Sequence, residues 1–417
     1  MIENFSQLGT APDFIEKLAS RGINKPTDIQ CKIIPLLSSG ESVIFTSATG
    51  TGKTFAYLLP MLGKMIGAGK EGISPQFLII GPTLELCTQI KSELDFLLEG
   101  TGISSSLVIG SVNIEHQIDN LKKTKPDIVI GNAGRLLNLA KMGRIKFSNL
   151  KFLVLDEADR LVSGEMLDET SELCGIIRRE NNLMRQNSGG KEENIIYAAC
   201  SATINKKCRE KLLVNCFNQQ KNSENIKFVE LENNEILYEM IEHWAIFSEK
   251  RRKDQTLRSL LSALKSQKSK VKALVFTSRN DEALFVLSHL QHHKVPAAGL
   301  FGKVSKKPIS GEARREALDS FRDGSVTVLV STDLAARGLD IQGITHVIAL
   351  DVPEDGEVYI HRCGRTARAG KRGTMVTIGD ETQMRLLSAL EKKLKIKIYP
   401  KELYYGKVCA PAPVEDD

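Results

Sequence analysis

Residues 42–54 read Ser42-Val43-Ile44-Phe45-Thr46-Ser47-Ala48-Thr49-Gly50-Thr51-Gly52-Lys53-Thr54. An apolar run ends in a turn with two glycines and continues into Lys-Thr. Strand, glycine-rich turn and helix, in that order, are what a phosphate-binding loop requires. Gly50 and Gly52 let backbone N–H groups approach and cradle phosphate oxygens. Lys53 supplies a point charge for β- and γ-phosphates, and the Thr54 hydroxyl can coordinate Mg²⁺. Ser47 stands where the strict pattern wants glycine, so the match is to a looser form of the loop. The competing reading is a glycine-rich turn that binds nothing.

A second stretch removes that alternative. Phe152-Leu153-Val154-Leu155 runs into Asp156-Glu157-Ala158-Asp159. A carboxylate at the carboxyl end of a buried parallel strand sits where open α/β sheets bind ligands. Asp156 there can hold Mg²⁺ through water, and Glu157 can orient or deprotonate an attacking water. Alone, an acidic tetrapeptide after a strand is more often a helix N-terminus, which favours carboxylates. With the phosphate loop upstream, the two stretches imply a nucleoside triphosphatase.

Outward from these stretches, short apolar runs alternate with helical patterns, as in βαβ units with parallel sheets. In the first half the runs are Ser42–Ser47, Phe77–Gly81, Asp127–Gly131, Phe152–Leu155 and Ile195–Cys200. In the second half they are Lys272–Thr277, Val326–Ser331, Thr345–Leu350 and Thr374–Ile378. Asn215–Asn225 and Glu230–Glu235 are polar with nothing to bury, which places a domain boundary near Leu231–Glu235. Arg178–Asn194 is polar and contains Ser188-Gly189-Gly190, the composition of a surface loop. The 417 residues suit two domains rather than one.

The net charge of +6 is uneven: 27 Lys+Arg against 28 Asp+Glu up to Glu235, and 30 against 23 from Ile236 onward. The second half therefore carries all of the positive excess, which suits either a solvated surface or one facing a polyanion. No apolar run approaches the ~20 residues of a membrane span. Met1-Ile2-Glu3-Asn4 lacks the basic and apolar segments of a signal peptide. The eight cysteines include no CxxC pair, so neither a zinc site nor a disulfide framework is indicated. These features fit a cytoplasmic protein without a membrane partner.

Asp156-Glu157-Ala158-Asp159 resembles the signature of the DEAD-box RNA helicases, and that family's other motifs follow in order over nearly the whole chain. Gly22-Ile23-Asn24-Lys25-Pro26-Thr27-Asp28-Ile29-Gln30 is similar to the Q motif, with Phe5 as its isolated upstream aromatic. Ser201-Ala202-Thr203 resembles motif III, and Leu274-Val275-Phe276-Thr277-Ser278 motif IV. Ser331-Thr332-Asp333-Leu334-Ala335-Ala336-Arg337-Gly338-Leu339-Asp340 is similar to motif V, and His361-Arg362-Cys363-Gly364-Arg365-Thr366-Ala367-Arg368 to motif VI.

The resemblance implies an α/β chain of two tandem RecA-like domains, each a mostly parallel sheet flanked by helices. Residues 1–232 would hold the Q motif, phosphate loop, DEAD and SAT motifs, and residues 233–417 motifs IV to VI. It implies ATP and Mg²⁺ as cofactors, RNA as partner and a monomeric chain. Ala48, Thr49, Gly50, Thr51, Gly52, Lys53 and Thr54 would hold the phosphates and metal. Gln30 would read the adenine edge, Phe5 would stack on the base and Asp340 would meet the ribose. Asp159, Ser201 and Thr203 would couple ATP state to the second domain. Thr83, Gly110, Gly134, Arg135, Arg314 and Thr332 would contact RNA.

Motif VI carries Arg362, Arg365 and Arg368 at spacings of three, neighbouring positions on one helical face. Such clustering repels itself unless an anion compensates. Set against a phosphate loop on another domain, such a cluster reads as arginine fingers for the γ-phosphate, and the resemblance implies that Arg365 and Arg368 are those fingers. The resemblance implies that Arg362 and His361 bind back to the DEAD carboxylates.

The RNA motifs depart from the family pattern. Pro-Thr-Arg-Glu-Leu-Ala appears as Pro82-Thr83-Leu84-Glu85-Leu86-Cys87, the glycine pair as Gly110-Ser111, and Thr-Pro-Gly-Arg as Asn132-Ala133-Gly134-Arg135. Gly311 stands for the expected Gln three residues before Arg314, beside an insertion around Lys306–Ser310. An ATP-switched RNA clamp with decayed unwinding is therefore the alternative to a working helicase. Cys87, Cys200 and Cys363 fill apolar or small positions and read as packing residues, and His292-His293 as a loop pair rather than a metal site.

Overall fold

The computed structural model describes residues 3–47, 50–65, 74–164, 166–187, 194–218, 226–230, 239–266, 271–301, 311–336, 341, 343–367 and 371–411. Ala48, Thr49, Asp340, Arg368, the Lys306–Ser310 insertion and the boundary stretch Leu231–Glu235 lie outside the described residues. The chain divides into two units, Met1–Glu232 and Asn233–Asp417.

In the first unit the apolar runs form β1 (Ser42–Thr46), β2 (Phe77–Ile80), β4 (Ile128–Gly131), β5 (Phe152–Asp156) and β6 (Ile196–Ser201). Two further strands, β3 (Ser105–Val108) and β7 (Ile226–Glu230), carry polar residues that keep them from standing out in the sequence. All pair in parallel in the order β3-β4-β2-β5-β6-β1-β7. Parallel neighbours need crossovers, and here those that bear on the site are helical. They are α3 (Lys53–Met65), α4 (Leu84–Leu98), α5 (Ile114–Thr124), α6 (Ala133–Lys141), α7 (Ala158–Leu161), α8 (Met166–Asn187) and α9 (Lys206–Lys211), while α1 (Pro12–Ser20) and α2 (Asp28–Ser38) precede β1. Side chains alternate across the sheet. Val43, Phe45, Phe77 and Ile79 enter one core, and Ile44, Leu78 and Ile80 the other.

Two sequence expectations are corrected here. Arg178–Asn187 is not loop but the last turns of α8. Three of its polar side chains bond to backbone of other segments: Arg178 donates to the Cys216 carbonyl at 2.7 Å, and Asn181 to the Leu150 carbonyl at 3.0 Å. Glu180 accepts from the Phe147 N–H at 2.6 Å. Ser188-Gly189-Gly190 lies outside the described residues. Nor is Asn215–Asn225 without anything to bury, because Cys216 and Phe217 enter the core and Phe217 packs on the Tyr197 ring at 4.7 Å.

The second unit contains β8 (Ile241–Phe247), β9 (Ala273–Thr277), β10 (Ala297–Leu300), β11 (Val328–Thr332), β12 (His346–Ala349), β13 (Gly373–Gly379), β14 (Ile398–Tyr404) and β15 (Lys407–Cys409). Their order is β10-β11-β9-β12-β13-β8-β14-β15, parallel except for the β14–β15 pair. The strand order of the first sheet thus recurs in the second, with β15 added at the edge. Its helices are α10 (Lys253–Ser266), α11 (Asn280–His292), α12 (Gly311–Asp323), α13 (Asp333–Ala336), α14 (Gly356–Cys363) and α15 (Glu381–Leu394). Among the described residues, no helix is long and apolar enough to cross a membrane.

Candidate active site

The carboxyl ends of β1, β5 and β6 are adjacent in the first sheet. Thr46 pairs with Ser201, and Asp156 with Cys200. After β1 the chain turns through Gly50 (φ 78°) and Gly52 (φ 89°) before α3 starts at Lys53. Both values lie in the left-handed region that residues with a Cβ resist. A Cβ on Gly52 would also run into the Gln30 side chain. The Lys53 ammonium donates to the Ser47 carbonyl at 2.6 Å, and the Ser47 and Thr51 hydroxyls pair at 2.6 Å. Burial pushes the Lys53 pKa down, while the Cys200, Asp156, Glu157 and Asp159 side chains oppose that shift.

Asp156 is buried at the end of β5. Its Oδ2 accepts from the Tyr57 hydroxyl at 2.8 Å, and its Oδ1 from the Cys200 thiol at 3.2 Å and the Glu157 N–H at 2.9 Å. Burial raises its pKa, and Lys53 pulls the other way. Cys200 is therefore more than a packing residue: the β5–β6 register sets its thiol against the carboxylate. Tyr57 was not singled out by the sequence reading. The available signal was spacing, because Tyr57 lies three residues after Thr54 on α3, on the same helical face.

Glu157 has a left-handed backbone (φ 48°, ψ 50°) where β5 gives way to α7. A non-glycine residue held there stores strain and is characteristic of functional turns. One of its carboxylate oxygens, Oε2, is buried with no hydrogen-bond partner among the described residues and stands 3.6 Å from Arg160. Asp159 accepts from the Ser201 hydroxyl at 2.6 Å, joining the DEAD and SAT stretches, and burial raises its pKa. The Thr203 hydroxyl is buried with no hydrogen-bond partner among the described residues.

Gln30 is 1 % exposed and links two motifs. Its amide oxygen accepts from the Thr27 N–H at 2.9 Å, and its amide nitrogen donates to the Gly52 carbonyl at 3.1 Å. Phe5, expected to stack on the base, is 1 % exposed and packs in the first core.

These features agree with two family models: DEAD/DEAH box helicase matches residues 27–211, and helicase conserved C-terminal domain matches residues 252–370. The DEAD-box ATP-dependent RNA helicase CshC of Bacillus cereus is 33% identical over 395 residues, covering 94% of this chain and 92% of CshC. CshB of Bacillus subtilis is 33% identical over 384 residues, covering 91% of this chain and 80% of CshB. This chain belongs to the DEAD-box ATP-dependent RNA helicases. Among solved structures, Mss116p bound to ssRNA and AMP-PNP matches with a TM-score of 0.81 at 26% identity, over 95% of this chain and 79% of that one.

The DEAD-box motifs expected on RNA are built as follows. Thr83 caps α4, accepting from the Leu86 N–H at 3.3 Å. Leu84 opens α4 half-buried and packs on the first core. Arg135 donates to the Gly110 carbonyl at 2.8 Å, and a Cβ on Gly134 would meet Glu169 Oε2 at 2.7 Å. In the second unit, Arg314 on α12 donates to the Ala335 carbonyl at 2.8 Å. Thr332, ending β11, is buried and reaches Asn280 at 3.5 Å.

Motif VI differs most from the sequence reading. Its helix, α14, stops at Cys363, and Gly364 is its cap. The Arg365 N–H bonds to the Arg362 carbonyl and the Thr366 N–H to the Cys363 carbonyl, both at 3.1 Å, tightening the chain into a turn. Arg362 and Arg365 therefore do not share a helical face. Arg362 is 2 % exposed and forms a bidentate pair with Asp333 at 2.7 and 2.6 Å, with Asp351 at 2.9 Å. Two carboxylates of its own unit therefore neutralise Arg362. Arg365 is 6 % exposed, and His361, on α14, is half-buried.

Proposed function

We propose that this chain hydrolyses ATP under RNA stimulation and couples the cycle to local opening of RNA duplexes or remodelling of RNA–protein complexes. The observation that carries the reading is the convergence of Lys53, Asp156, Glu157 and Asp159 at the carboxyl edge of one parallel sheet, behind a glycine turn with positive φ.

The residues present fit Mg²⁺. A carboxylate offers about four lone-pair positions. Asp156 uses two on Oδ1 and one on Oδ2, which leaves one on Oδ2. Thr54 and Asp156 would hold the metal, Asp156 partly through water, and the bound metal would supply charge neutralisation at the phosphates. Lys53 binds the β- and γ-phosphates as a point charge. Glu157, with one buried carboxylate oxygen lacking a hydrogen-bond partner among the described residues, orients the attacking water and takes its proton. The backbone of Ala48 to Gly52 cradles the phosphates, Gln30 selects the base and Asp340 holds the ribose. His361, Arg365 and Arg368 answer the charge on the γ-phosphoryl group. Asp159, Ser201 and Thr203 transmit nucleotide state, with the Asp159–Ser201 hydrogen bond as the physical link. Mss116p, bound to ssRNA, supports RNA as the partner. Thr83, Gly110, Gly134, Arg135, Arg314 and Thr332 are its proposed contacts.

The test is a paired assay of RNA-stimulated ATP hydrolysis and duplex release, on the parent and on Glu157→Gln. The parent is expected to show both activities. The variant is expected to bind ATP but lose turnover by about 10²–10⁴-fold, the usual worth of a general base. Parent turnover in the variant removes Glu157 from this role. Stimulated hydrolysis without duplex release, in a chain carrying Leu84, Ser111 and Ala133, establishes the RNA clamp instead.

A further inference from the structure

We infer that Tyr57 and Cys200 are positioning residues for Mg²⁺, acting through Asp156, an assignment that rests on the nucleotide-site reading above. Neither residue lies in the stretches that suggested metal binding, yet both donate to the same buried carboxylate. The Tyr57 hydroxyl occupies one position on Oδ2, and it is also hydrogen-bonded to the Thr54 side chain. It therefore bridges the two side chains proposed to hold the metal. The Cys200 thiol and the Glu157 N–H fill Oδ1.

The consequence is geometric. A carboxylate free to rotate presents either oxygen to a cation; this one is pinned at three of its four acceptor positions and offers a single direction. Burial keeps the clamp in place, because Tyr57 and Cys200 are fully buried. Outer donors of this kind hold a metal ligand in orientation, and their loss typically costs 10–100-fold in metal affinity or activity. Tyr57 sits four residues after Lys53 on α3, and Cys200 is the register partner of Asp156 on β6. One donor thus comes with the phosphate loop and the other with the strand that leads into Ser201, so each motif helps to aim the metal ligand.

The experiment titrates Mg²⁺ into full-length protein with a fluorescent ADP and reads the Mg²⁺ midpoint for tightened nucleotide binding, alongside metal-free ADP affinity and thermal melting. Tyr57→Phe keeps the ring and removes one donor. It is expected to raise the midpoint about 10-fold or more, with metal-free affinity within about twofold of the parent. Cys200→Ala is expected to raise it less, and Cys200→Ser, which keeps a donor, to stay close to the parent. Should Tyr57→Phe fail to fold, the Cys200 pair decides the matter. Folded variants that all share the parent midpoint overturn the assignment, as does an equal shift in Cys200→Ala and Cys200→Ser. A parent whose ADP binding ignores Mg²⁺ overturns the nucleotide-site reading itself, and this assignment with it.

Discussion

The two units share one strand order, yet their corresponding edges are chemically opposite. In both, the helix after the first strand begins with a lysine, Lys53 after β1 and Lys253 after β8. In both, an aspartate closes the strand at the middle of the sheet: Asp156 ends β5, and Asp351 follows shortly after β12. In the first unit a glycine turn precedes the lysine, and Asp156 takes its hydrogen bonds from neutral donors, leaving its charge available. In the second no glycine precedes Lys253, whose ammonium donates to the Leu350 carbonyl at 2.7 Å and to the Gln383 side chain. Asp351 is paired with Arg362. Topology brings a cation and a carboxylate to the same edge twice. What distinguishes the first edge, among the described residues, is the pair of positive-φ glycines and a carboxylate hydrogen-bonded by neutral donors rather than by an arginine of its own unit.

The comparison breaks most visibly at Arg362. Arg362→Met leaves Asp333 and Asp351 partly buried without their cation, a loss expected to cost about 3–5 kcal/mol of stability. Urea unfolding followed by a probe in the second unit checks it. An unchanged transition, with RNA-stimulated hydrolysis lost, would return Arg362 to the coupling role that the sequence implied.

Lysine exchange at the two edges sharpens the contrast. Lys53→Ala should cost about 2–5 kcal/mol of ATP binding, because it removes the side-chain cation facing the phosphates. Lys253→Ala should leave ATP affinity at the parent value and lower the melting temperature. Titration calorimetry and thermal melting on both variants separate the outcomes; equal losses of nucleotide affinity would mean that the second edge also serves the nucleotide.

The smallest effect is expected at Leu84, at the start of α4 in the first unit. Leu84→Arg adds one cation at a half-buried helix start. If RNA passes there, binding should tighten for all sequences alike, with the log–log salt slope steeper by ~0.7, one phosphate contact on a single strand. A folded variant with unchanged affinity and slope shows that the strand runs elsewhere. A lowered melting temperature shows instead that packing of Leu84 on the core dominates.

Much of this site was legible in the sequence because its motifs are contiguous. The glycine turn, Lys53 and the Asp156–Asp159 stretch announce their chemistry at fixed short spacings, next to apolar runs whose length marks buried strands. That local record determined the phosphate chemistry, the parallel α/β class and the family. It could not assign partners to side chains far apart in the chain. Tyr57 meets Asp156 across 99 residues and Cys200 meets it across 44, contacts that exist only once β5 and β6 pair in register. The helix through Arg178–Asn187 was illegible for the same reason, since Arg178, Glu180 and Asn181 bond to the backbone of remote segments and mimic a solvated loop when read in isolation. Arg362 shows the limit most plainly. A motif states that an arginine is present, but only the fold, by bringing Asp333 and Asp351 within 3 Å, decided which carboxylates it meets in this structure.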